Sequence, residues 1–131
     1  MPRRAPVVVD TSVWIPFLEG GGGPEVVSLR KLIRADRAAI TGQIVAEILQ
    51  GARGARDGAR LRSALGGVHF LQLGRAEHER AGELSAALRR AGRMIPLSDA
   101  LVATAALTYG LPLLAADDDF DAVPGLVRHA G

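Results

Sequence analysis

The chain has 131 residues, 48% hydrophobic and 23% charged, with no cysteine. That is one domain's worth of sequence (1–131), able to bury about 68% of its unfolded surface, and it excludes a disordered chain, a disulfide framework and a thiolate zinc site. The 16 basic and 14 acidic residues leave a net charge of +2, and with only five aromatic residues a base-stacking platform for single strands is excluded as well.

Arg3 and Arg4 precede an apolar run that Asp10 interrupts. That run is too short for a secretory signal or a membrane span, so the expectation is a soluble, cytoplasmic protein. Ala5–Val9 is β-rich and reads as a strand buried on both faces. Ser12–Glu19 reads as a short helix capped by Thr11 or Ser12, with Pro16 tolerable only near its start. The glycine run Gly20–Gly23 with Pro24 marks a loop and a new helix start. Glu25–Arg37 is amphipathic, with Val26, Leu29, Leu32 and Ile33 on one face. Ala38–Thr41 is the second strand, followed by helices over Gln43–Arg53 and Asp57–Leu65.

Val68–Leu73 is the third strand. Arg75–Ala91 is a long helix with its stripe at Ala81, Leu84, Leu88 and Ala91, stopped by Gly92. In Ser98–Tyr109 only Thr104 interrupts the apolar run from Ala100 to Leu107, which predicts a buried central helix. Leu111–Ala115 is the fourth strand, and Leu126–His129 a short edge strand. Strands alternating with helices predict an α/β fold, a parallel sheet of four to five strands with helices on both faces.

In such a sheet, ligands bind beyond the carboxyl ends of the strands. Asp10 ends the first strand pattern, and Glu47 lies one turn into the helix after the second. Asp99 opens the apolar helix, and Asp117 with Asp118 and Asp119 ends the fourth strand. Each has a plainer reading: a helix cap for Asp10, a dipole partner for Asp99, a surface glutamate for Glu47, a solvated turn for Asp117. Their convergence argues otherwise. Two carboxylates about 4 Å apart repel by roughly 4 kcal/mol at an effective dielectric of 20, so four in a cleft must take up protons, move apart or bind a cation. All-oxygen ligation without Cys or His favours Mg²⁺ or Mn²⁺. Such an ion acidifies a water and stabilises a leaving oxygen, as phosphodiester hydrolysis needs. Apart from the quartet, 16 basic residues face ten acidic ones, an excess of six suited to a polyanion.

Four motifs carry a resemblance: Val7–Trp14 (VVVDTSVW), Ile44–Arg53 (IVAEILQGAR), Ile95–Ala103 (IPLSDALVA) and Leu113–Phe120 (LLAADDDF). In order and spacing this set resembles PIN-domain ribonucleases, especially the VapC-type toxins of bacterial toxin–antitoxin pairs. The resemblance implies a three-layer α/β/α fold, an Mg²⁺ or Mn²⁺ site and endoribonuclease activity on RNA. It makes Asp10, Glu47, Asp99 and Asp117 the catalytic quartet. Asp10 and Asp99 are implied as direct metal ligands, Asp117 or Asp119 directly or through water, and Glu47 as holding a water or a second ion. Thr11 or Ser12 would orient a carboxylate or water through a hydroxyl, and Arg93 would contact substrate phosphate. Ala115 departs from the Ser or Thr usual two residues before the fourth acidic position.

A homodimer and a cognate VapB-type antitoxin are also implied, the antitoxin lying across the cleft. Val13, Trp14 and Phe17, with the helix from Glu25, are the expected groove walls, Trp14 reading equally as plain core. Two other readings remain: a PIN-fold binding module without catalysis, and a receiver-like signalling domain. The second lacks the adjacent acidic pair at the first strand end and a cleft lysine, since Thr11 follows Asp10 and Lys31 lies on a surface helix.

Overall fold

A computed structural model describes residues 4–130; Arg3 lies outside them. Strand β1 (Val7–Val9) is three valines with no exposed surface, the run expected of a strand covered on both faces. It pairs in parallel with β2 (Ala38–Thr41), Val7 opposite Ala38 and Val8 opposite Ala39. On its other side it pairs in parallel with β4 (Leu113–Leu114), Val8 opposite Leu113. β3 (His69–Leu71) adds in parallel to β2, giving the order β3-β2-β1-β4. The fifth strand expected over Leu126–His129 is reduced to one parallel bridge, Leu113 to Arg128. β4 is only two residues long, and one pair of backbone bonds, Leu113 N–H to Val127 O and His129 N–H to Leu113 O, exhausts what it offers there.

Among the described residues six helices complete a three-layer α/β/α arrangement: α1 (Thr11–Leu18), α2 (Pro24–Arg34), α3 (Gly42–Gln50), α4 (Ala55–Leu65), α5 (Arg75–Arg90) and α6 (Leu97–Tyr109). α6 is the buried helix its composition predicts, with Ala100 and Val102–Ala106 all inside. It packs against α5 on one side, and its Ala100, Ala103 and Ala106 join the hydrophobic core. Gly92 has the left-handed φ of 78° that ends α5, and Arg93 N–H bonds back to Leu88 O across it. Pro16 departs from expectation: it is the sixth residue of α1, not near its start. Lacking an N–H, it forgoes the bond to Ser12 O that the helix would otherwise make.

The strand order places the site. The chain runs outward from β1 through β2 to β3, then returns to the other side of β1 with β4. The reversal lies between β1 and β4, and at their carboxyl ends ligands find a crevice. Leu113, with no exposed surface, holds β4 at that seam. Leu113→Ala should cost about 2–5 kcal/mol of unfolding free energy in urea titration. Phe70→Thr, at a side chain 58% exposed on β3, should change it by less than about 0.5 kcal/mol.

Candidate active site

Asp10 follows β1 directly and starts α1. Its backbone N–H bonds to Leu114 O at 2.9 Å, which ties it to β4. Its Oδ2 accepts the backbone N–H of Ser12 at 3.1 Å, so the reading of Asp10 as a helix cap is correct as far as it goes, and the expected cap at Thr11 or Ser12 is not: both are the first residues of α1 itself. Asp10 is nonetheless only 4% exposed, and its Oδ1 is buried without a protein partner. A buried carboxylate oxygen left over after capping is costly unless a proton or a cation meets it.

Asp99 sits in the first turn of α6, where the helix dipole favours a carboxylate. Asp117 lies just beyond β4 and caps the 3₁₀ turn Asp118–Ala122, its Oδ1 accepting the N–H of Asp119 at 2.9 Å. Asp99, Asp117 and Asp119 each offer a carboxylate oxygen, all within 4.8 Å of one another. Asp10 and Glu47 stand outside this close trio but within its field. The Asp99 carboxyl is pushed up from 3.8 to about 6, first by burial and then by the charges of Asp10, Asp117, Glu47 and Asp119. Glu47, half-buried in α3, is pushed up by burial and then by Asp10, against a lowering hydrogen bond with Gln43. Five carboxylates therefore share one cleft, with hard oxygen donors only. The orphaned Asp10 oxygen and the close trio fit a divalent cation of the Mg²⁺ or Mn²⁺ type.

The smaller expectations divide. Ser12 orients Asp10 with its backbone N–H, while its Oγ accepts from Ala116 N–H at 3.0 Å and ties α1 to the acidic segment. The Thr11 side chain makes no hydrogen bond among the described residues. Arg93 is exposed in the turn after α5. Val13 and Trp14 are wholly buried and cannot wall a groove. A groove of about 450 Å³ lies on another side of α1, between α1, α3 and α4, lined by Ile15, Leu18, Ile48 and Leu61 together with Glu19, Arg53, Asp57 and Arg60. Arg128 was not legible as a site residue. It reaches Ala115 O and Asp121 from a tail that reads only as an edge strand, and no periodicity marks it.

The raised Asp99 carboxyl has a definite sign. Between pH 3.8 and about 6 the folded chain keeps a proton that the unfolded chain has released, so stability falls as pH rises through that window. In chelator, the melting temperature of the wild type should drop across it. Asp99→Asn should flatten much of that drop and melt a few degrees higher at pH 7, read by circular dichroism; an unchanged pH profile would remove the like-charge account.

The PIN domain family matches residues 7–126. Ribonuclease VapC11 of Mycobacterium tuberculosis is 30% identical over 121 residues, covering 89% of this chain and 90% of that protein. Among solved structures, DNA-bound VapBC from Salmonella typhimurium aligns with a TM-score of 0.80 at 21% identity, over 96% of this chain and 98% of the other. Mycobacterium tuberculosis VapC20, described as a Sarcin-Ricin loop cleaving toxin, aligns with a TM-score of 0.71 at 20% identity, over 95% and 99%. The acidic edge of the sheet and this likeness agree, and the chain belongs to the PIN domain family, among its VapC-type ribonucleases.

Proposed function

We propose that this protein is a metal-dependent endoribonuclease and the toxin of a type II toxin–antitoxin pair. The observation that carries the reading is the close trio Asp99, Asp117 and Asp119 beside the buried, unpartnered Asp10 oxygen, at the crevice between β1 and β4. The ribonuclease name of the 30% identical relative supports the same chemistry.

Asp10, Asp99 and Asp117 are the residues proposed to hold Mg²⁺ or Mn²⁺, with Asp119 joining them. When bound, that ion supplies Lewis-acid polarisation of the phosphate and lowers the pKa of a water. Asp10 is fixed for this by the Ser12 N–H and by its own N–H to Leu114. Glu47, with its carboxyl raised by burial and by Asp10, is suited to take the proton of the attacking water at a carboxylate oxygen. The basic residues outside the cleft hold the RNA, with Arg93 the proposed phosphate contact. Electrostatic holding of this kind weakens as salt rises. Single-stranded or looped RNA suits a cleft better than perfect duplex, because the scissile phosphate must enter it.

A VapB-type antitoxin and a second copy of the chain are the proposed protein partners. The Salmonella neighbour is a VapBC complex, and the groove between α1, α3 and α4, apolar at Ile15, Leu18, Ile48 and Leu61 and charged at Glu19, Arg53, Asp57 and Arg60, is suited to an antitoxin segment that carries both apolar anchors and charges.

Purified protein should cleave total cellular RNA into discrete fragments with Mg²⁺ or Mn²⁺. Chelator should abolish the cleavage, and Asp99→Asn should lower it about 100-fold or more, equivalent to about 2.7 kcal/mol of lost transition-state stabilisation. Folded, antitoxin-free protein that cleaves nothing with either ion would leave a PIN-fold binding module as the reading.

A further inference from the structure

The segment from Ala115 to Asp121 carries four aspartates, Asp117, Asp118, Asp119 and Asp121, and supplies two of the three closest carboxylates. Like charges so crowded push a short segment outward into water, where a proton or a looser geometry relieves them. Something must hold it at the cleft. Phe120, almost fully buried, anchors it to the core, and Ser12 Oγ receives Ala116 N–H. A further contact is Arg128. Its Nη2 donates to Ala115 O at 2.9 Å, at the start of the segment, and its Nη1 donates to Asp121 Oδ1 at 2.7 Å, at the end. Its guanidinium lies 5.9 Å from the centre of the Phe120 ring. Arg128 is itself fixed by the backbone bridge to Leu113 and is 27% exposed, while Asp121 is 64% exposed. Among the described residues it is the one cation bonded to this segment.

We propose that Arg128 is a positioning residue of the acidic cleft: by spanning both ends of Ala115–Asp121 it sets Asp117 and Asp119 against Asp99, and so sets the affinity for a divalent cation. This rests on the metal-site reading above. The fork of a guanidinium reaches two acceptors at once in a fixed plane, which an ammonium does not. Groups that orient metal-binding carboxylates act on affinity through geometry, typically about 10–100-fold.

Charge and position predict opposite signs, which makes the test sharp. Removing a cation bonded to the acidic segment should tighten cation binding if charge alone matters. Loosening the segment should weaken it. The measurement is Mn²⁺ affinity by isothermal titration at constant ionic strength on wild type, Arg128→Gln and Arg128→Lys, with the melting temperature of each in chelator. Arg128→Gln should bind Mn²⁺ about tenfold or more weakly, with a melting temperature close to that of the wild type. Arg128→Lys keeps the charge and loses one of the two contacts, so its affinity should fall between the other two. If Arg128→Gln does not fold, Arg128→Lys decides, because any loss at constant charge is positional. Variants that bind as tightly as the wild type, or more tightly, overturn the proposal. A wild type that binds no Mn²⁺ overturns the metal-site reading and this proposal with it.

Discussion

The mutual repulsion of carboxylates gathered at one point is the constraint on which the rest of this structure depends. Left to itself, a chain would separate Asp10, Glu47, Asp99, Asp117 and Asp119, since each is more stable ionised in water than beside its neighbours. They are held together because the elements that carry them are tied down by apolar burial. β1 and β4 are buried completely at the seam, and α6 is apolar almost all round. The hydrophobic core thus supports a charge arrangement that is unfavourable in its own right. The strain appears in the Asp99 carboxyl, raised to about 6. A site whose groups are pushed from their ordinary values by burial and by one another is poised to exchange that strain for a ligand.

Within that frame the polar contacts are few, and each does more than one thing. Asp10 caps α1 with one oxygen and leaves the other in the cleft. Ser12 divides similarly, its N–H aligning Asp10 and its hydroxyl oxygen receiving Ala116. Asp117 caps the turn that presents Asp119. Reuse of this kind follows from shortness: β4 is two residues long and the turn after it five, so the acidic segment has little regular structure of its own. Ala115 offers the cleft no hydroxyl. Its backbone carbonyl is engaged by Arg128.

The helix α1 shows where pattern reading reaches its limit. Val13, Trp14 and Phe17 read as an apolar face open to a partner, with Trp14 reading equally as core. In the structure the buried side takes Val13 and Trp14, with Phe17 edge-on to Trp14 at 5.9 Å, and Ile15 and Leu18 face the groove with α3 and α4. A helix that is apolar on most sides can bury any of them, and only its neighbours decide which. α1 packs against both α2 and α3, and that choice leaves the Ile15 side free.

Sequence alone determined the alternation of strands and helices, the buried character of α6, the stop at Gly92 and the carboxylates at the strand ends. These are local properties: burial on both faces imposes continuous apolar runs, a left-handed turn calls for glycine, and a helix start favours an acid. Tertiary structure decided what depends on separation in space. It brought Asp99, Asp117 and Asp119 into the close trio and left Asp10 just outside it with a buried free oxygen. It shortened the last strand to one bridge, turned α1 about its axis, and set Arg128 across both ends of the acidic segment. Long-range pairings of this sort depend on which surfaces meet when the core closes, and no periodicity along the chain encodes that meeting.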